Sequence, residues 1–199
     1  MEITIKRLTP GLSADYFDFF DNRAFTDDSP YRCYCQMYQM SKEQYKQFRK
    51  EYENAKDVDF GLLSKNMAKQ QIEAGALCGY LAYADGISIG WCNANDRANY
   101  PKEPYCDVLF HSPVPQREIA VVCFTIAPDY RGRGIATALL NRVILDAKAN
   151  GYASVVGFPV RRSERYEWDC AGPMRLYEKA GFYKASEHGE IVVMKKELI

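Results

Sequence analysis

The stretch "APDYRGRGIATALL", residues 127–140, sets two arginines and two glycines directly before a run with helical spacing. The start of a helix carries N–H groups with no partner inside the helix and a partial positive charge, so it accepts anions. Glycine at 132 and at 134 lets a ligand approach the backbone with no Cβ in the way. Arg131 and Arg133 add donors of the kind that suit phosphate. Residues 131–137 therefore read as an anion cradle built largely from main chain. The plain structural alternative is a tight strand-to-helix turn with two solvated arginines.

Outward from this turn the pattern is regular. "EIAVVCFTIAP" (Glu118–Pro128) is almost wholly apolar, as a strand buried on both faces would be. After the glycines, Ala136, Leu139, Leu140, Val143, Ile144 and Ala147 fall on one helical face, and Asn150-Gly151 supplies a left-handed cap. "YASVVGF" then reads as the next buried strand, and strand, helix, strand at this separation is a βαβ unit with parallel strands. Downstream, a helix over 173–180 starts at Pro173 and stops at Gly181, and "FYKAS" and "EIVVMKKEL" form an antiparallel pair.

Upstream, the residues predict a strand at Ile3–Leu8 and a helix at Leu12–Phe20. "SKEQ" (Ser41 to Gln44) is a capping box that opens a helix into the low fifties, and another helix covers Gly61–Ala74. "LCGYLAYADGISIGWCNA" is two strands joined by Asp85-Gly86, a hairpin pair because both positions need positive φ. "FTDDSPYRCYCQMYQM" (25–40) is aromatic and irregular and receives no assignment. The fold class is a mixed α/β sheet with helices on both faces.

The 199 residues hold no repeat or linker and read as one domain, 1–199. Lys+Arg and Asp+Glu balance at 26 each, so no whole-molecule field exists for gripping nucleic acid or an anionic membrane. "MEITIKRLTP" alternates as a strand and not as a signal peptide, and no segment approaches the ~20 apolar residues of a span. Seven cysteines, with Cys78, Cys92 and Cys123 inside predicted strands, fit reduced buried thiols and a cytoplasmic address. Cys33 and Cys35 in "CYC" have no second Cys/His pair nearby and lack C-x-x-C spacing, so they read as buried or cleft-lining thiols and no metal is expected. Tyr31, Tyr34 and Tyr38 around them fit the wall of a pocket.

The phosphate ligand is narrowed by what fails. The P-loop pattern is absent. The dinucleotide fingerprint breaks at its third small position, where Thr137 stands, and "VVGFPV" ends in no acidic residue to hold a ribose.

"FTIAPDYRGRGIATALL" resembles motif A of the GNAT N-acetyltransferase superfamily, [Q/R]-x-x-G-x-[G/A], here Arg131, Gly134 and Ala136. "MRLYEKAGF" (Met174–Phe182) resembles its motif B. The resemblance is specific over residues 118–187. It implies a GNAT fold, with a mostly antiparallel mixed sheet whose central parallel strands splay apart. It implies acetyl-CoA as co-substrate, its pyrophosphate on Arg131, Gly132, Arg133, Gly134, Ile135, Ala136 and Thr137. Its pantetheine arm would run along Phe124, Thr125 and Ile126, paired to the backbone of Phe124 and Ile126 like an added strand. Tyr177 takes the position of the acid that protonates the leaving thiolate, and Glu118 that of a base, with a water chain as its alternative. An asparagine common seven residues before the tyrosine is replaced by Cys170. The loop "PVRRSERYEWD" is long and brings Arg161, Arg162, Tyr166 and Trp168 near the cleft or leaves them solvated. The two histidines, His111 and His188, sit in no motif.

The expected activity is acetyl transfer to an amine of a small molecule by direct attack in a ternary complex, in a monomer or homodimer. The alternatives are transfer to a protein N-terminus or lysine, and a catalytically silent acyl-CoA-binding module.

Overall fold

A computed structural model describes residues 2–27, 33–54, 59–101, 117–161 and 170–198. Among these, seven strands form one sheet: β1 (Ile3–Arg7), β2 (Gly79–Ala84), β3 (Ile87–Asp96), β4 (Glu118–Ile126), β5 (Ser154–Gly157), β6 (Tyr183–His188) and β7 (Ile191–Glu197), in the order β1-β2-β3-β4-β5-β7-β6. Only β4 and β5 pair in parallel; the other neighbours are antiparallel. The helices are α1 (Ser13–Asn22), α2 (Lys42–Asn54), α3 (Phe60–Glu73), α4 (Ile135–Ala149) and α5 (Met174–Lys179).

Both faces of the sheet are covered, and β2, buried throughout, displays the consequence. Its side chains alternate: Leu81 and Tyr83 join Tyr16, Phe19 and Phe20 of α1, whereas Tyr80, Ala82 and Ala84 join Leu139, Leu140 and Val143 of α4. A strand between two apolar layers shows no hydrophobic alternation in its sequence, which is why β2 and β4 read as continuous apolar runs.

Local chemistry sets the boundaries. Asp85 and Gly86 take φ of 49° and 80° in the β2–β3 turn. Gln44 N–H donates to Ser41 Oγ at 3.2 Å and Ser41 N–H to Gln44 Oε1 at 2.9 Å, the reciprocal cap of α2. Two details differ from expectation. Pro173 stands just before α5, its ψ of 150° being extended and not helical. Cys78 precedes β2 and is only half-buried.

Candidate active site

The centre of the sheet opens on one side. β4 and β5 pair from Glu118/Ser154 to Val121/Gly157, and there the parallel ladder stops. At the same level the β3–β4 register slips between Asn93 and Ala94, so that Val122 has no opposite residue. This bulge bends β4 at the point where it leaves its partner. Beyond Gly157 the chain stays with β7, Val192 N–H donating to Pro159 C=O and Arg161 N–H to Glu190 C=O. The edge of β4 from Phe124 to Ile126 is thereby released from β5, and Phe124, Thr125 and Ile126 are half-buried.

β4 leads into the glycine turn. Gly132 and Gly134 adopt φ of 74° and 81°, the left-handed region that favours glycine, and a Cβ on either would meet nothing within 4 Å. Gly134 caps α4 with no side chain. Among the described residues, nothing accepts a hydrogen bond from the N–H groups of Gly132, Arg133, Gly134, Ile135, Ala136 and Thr137. The turn and first helical residues thus present a row of donors, with Ile135 buried as the anchor below.

The two arginines, expected as phosphate donors, are engaged to different degrees. Arg131 spends its main-chain N–H on Pro128 C=O at 3.2 Å, its Nε on Ile126 C=O at 3.1 Å and its Nη1 on Asp27 Oδ2 at 2.5 Å. With these groups engaged, Arg131 fastens the turn to the chain after α1, and the cradle proper begins at Gly132. Arg133 lies over the ring of Tyr130, 5.5 Å from its centroid.

Tyr177 is fully buried on α5, with its ring against Gly157 and edge-on to Phe182 at 5.3 Å. Its hydroxyl donates to Ala171 C=O at 2.6 Å. Burial pushes this phenol well above its ordinary range, and the thiols of Cys92, Cys170 and Cys123 add to the effect, so Tyr177 holds its proton.

Glu118 occupies the other end of β4, roughly 26 Å along the strand from Ile126. It is neither solvated nor open to the cleft. Oε2 accepts from Arg97 at 2.6 Å; Oε1 accepts from Ser154 Oγ at 2.7 Å and lies 3.4 Å from Lys195 Nζ. With Arg97 and Glu118 both under a tenth exposed, this is a buried ion pair. A carboxylate held by a guanidinium, an ammonium and a hydroxyl has the contacts of a counter-ion.

The irregular segment is pinned by amides that the sequence did not flag. Asn93 on β3, fully buried, donates to Cys35 C=O at 3.2 Å and accepts from Gln39 at 3.0 Å and from Tyr100 at 2.9 Å. Tyr34 and Cys35 take φ of 44° and 48°, which buries both side chains. Tyr34 is therefore a core residue bonded to Asp21 and not a pocket wall. Tyr38 is half-buried, its hydroxyl 3.2 Å from Cys170 Sγ. Burial, with Cys35 adding to it, pushes the Cys33 thiol up to about 12. No group of three metal-ligating side chains exists among the described residues. Arg161 pairs with Glu187 at the surface. Tyr31, His111, Arg162, Tyr166 and Trp168 lie outside the described residues.

A second cleft, of about 270 Å³, is lined by Arg7, Tyr80, Asp96, Arg117, Asp146 and Tyr152 at the C-terminal half of α4. It shares no residue with the glycine turn, and the helix end beside it carries the dipole sign that repels anions.

Together, a parted pair of parallel strands and an open helix mouth form the candidate site of a mixed α/β domain. The chain belongs to the Acetyltransferase (GNAT) family, whose profile matches residues 34–182. In fold it is similar to the PaiA N-acetyltransferase of Thermoplasma acidophilum, solved in complex with coenzyme A (TM-score 0.55, 16% identity, 99% of each chain covered). It is also similar to YncA, a putative acetyltransferase of Salmonella typhimurium solved with acetyl-CoA (TM-score 0.51, 13% identity, 99% of this chain and 94% of that one). A GNAT-family acetyltransferase of Listeria monocytogenes superposes with a TM-score of 0.57 at 12% identity over 100% of this chain and 96% of that one. No curated protein matches the chain in sequence.

Proposed function

We propose that the chain, one domain over residues 1–199, is an N-acetyltransferase that moves the acetyl group of acetyl-CoA to an amine of a small-molecule acceptor by direct attack in a ternary complex. One observation carries the reading. The unpartnered N–H groups from Gly132 to Thr137 stand beside a β4 edge that has lost β5, a fit for a diphosphate followed by an amide-bearing arm. The family, and the ligands of PaiA and YncA, support the same cofactor.

In this reading the main chain of Gly132–Thr137 holds the diphosphate, and Phe124 and Ile126 pair with the arm. Phe124 N–H then points at the thioester oxygen as it gains negative charge. Tyr177 delivers its proton to the departing thiolate. Water takes the proton of the attacking amine, while Glu118 keeps Arg97, Ser154 and Lys195 in register at the base of the β4–β5 pair. Tyr38, Cys33 and Cys170 offer aromatic and thiol surface, which suits an acceptor with an apolar portion. The free thiols among the described residues fit the cytosol.

The test is CoA release with an amine panel, scored by thiol detection. Turnover with one class of small amine is expected. Turnover only with peptides would move the assignment to a protein acetyltransferase; thermal stabilisation by acetyl-CoA without release would make the chain a silent binding module.

A further inference from the structure

The cleft beside β4 already has an occupant, the turn at residues 170–172. Phe124 N–H, on the edge that β5 has left, donates to Cys170 C=O at 2.6 Å. One residue on, Ala171 C=O accepts from the Tyr177 hydroxyl, also at 2.6 Å. The Cys170 thiol meets the Tyr38 hydroxyl at 3.2 Å. Gly172 closes the turn at φ of +80°, where an added Cβ would sit 3.1 Å from Leu176 and 3.3 Å from the Phe124 ring. The turn is thus bonded and packed, and its two consecutive carbonyls sit on the two donors that the proposed chemistry needs.

We propose that the Cys170–Gly172 turn is a self-inhibitory plug: its carbonyls hold Phe124 N–H and the Tyr177 hydroxyl, and entry of an acyl-CoA arm expels it and unmasks Tyr177. The inference rests on the acetyl-CoA reading above. One N–H directed at one acceptor serves either the Cys170 carbonyl or a thioester carbonyl. Because the two carbonyls belong to successive peptide units joined at the α-carbon of Ala171, a ligand that displaces the first carbonyl pulls on the second. The acid is therefore freed when the thioester is seated and stays capped otherwise. The plug also costs affinity, since the apparent Kd is the intrinsic one divided by the fraction of molecules with the turn out. ADP, which reaches only the helix mouth, escapes this cost.

Isothermal titration of the full chain with CoA and with ADP tests the plug in two variants. Gly172→Ala strains the turn at its positive φ, and Tyr38→Phe removes one of the groups that hold the Cys170 thiol, the Cys123 thiol being another, while keeping the ring. The expected result is CoA binding tightened by about threefold or more in either folded variant, with ADP affinity unmoved. CoA affinity unchanged or weakened in both variants overturns the plug, and so does equal tightening for CoA and ADP. A parent chain that binds no CoA overturns the cofactor reading and takes this inference with it.

Discussion

The ring of Tyr177 rests on the α-carbon of Gly157: a Cβ there would stand 2.1 Å from Tyr177 Cε1 and 2.6 Å from its hydroxyl oxygen. Gly157 is also the last residue of β5 paired to β4. The position where the strands part is thus the position that seats the proposed acid. Gly157→Ala is expected to push the ring off its seat, destabilising the fold by about 1–3 kcal/mol through overpacking. Urea denaturation measures that loss, and turnover should fall with it in the protein that remains folded.

Tyr177→Phe keeps the ring and removes the proton. Turnover should fall while the affinity for acetyl-CoA tightens, because the Cys170–Gly172 turn loses one of its two holding bonds, and the lost bond to Ala171 should cost about 1 kcal/mol of stability. Unchanged kcat would remove Tyr177 from the chemistry. The pH dependence has a definite sign. Burial raises the folded-state pKa of Tyr177 well above that of a free phenol. The stability tied to its neutral form is therefore fully present below about pH 10 and is lost as pH rises beyond it. On the same ground, no alkaline fall in kcat from Tyr177 is expected up to pH ~9.

Gly134→Val forces a branched side chain into a left-handed position whose Cβ would project into open space beside the cradle. The backbone strain should cost about 1–3 kcal/mol. Loss of cofactor binding should be larger than that cost explains. Thermal shift is the measurement: the parent gains ~2.7 kcal/mol at one hundred times Kd, and the folded variant should gain nothing.

Glu118→Gln distinguishes a counter-ion from a base. Removing the charge breaks the buried ion pair with Arg97, at an expected cost of about 3 kcal/mol, partly recovered by adding Arg97→Gln. Turnover of the folded fraction should drop less than about tenfold. A loss of about a hundredfold or more, with stability intact, would restore Glu118 as the base.

The parts of this fold that were legible in the sequence rest on local rules. The Asp85-Gly86 turn, the Ser41–Gln44 cap, the apolar face of α4 and the glycine turn each depend on residues within a few positions of one another. What was not legible depends on long-range partners. The Glu118–Arg97 pair joins residues 21 apart, and nothing local distinguishes it from two solvated charges. Asn93, Gln39 and Gln36 are buried amides that no pattern in the sequence marks, because burial of an amide has no periodic signature. The Cys170 carbonyl on Phe124 N–H is main chain at both ends and so leaves no mark on residue identity.

The Arg131–Asp27 contact joins positions 104 residues apart, with both side chains about two-fifths exposed. It works as a latch between the segment that leaves α1 and the floor of the glycine turn. A latch in solvent is sensitive to ionic strength and contributes no more than about 1 kcal/mol, so added salt loosens it long before the sheet yields. Proteolysis near Asp27 should accordingly quicken in high salt at unchanged melting temperature, and a bound polyanion at the helix mouth would feel the same release from the opposite side.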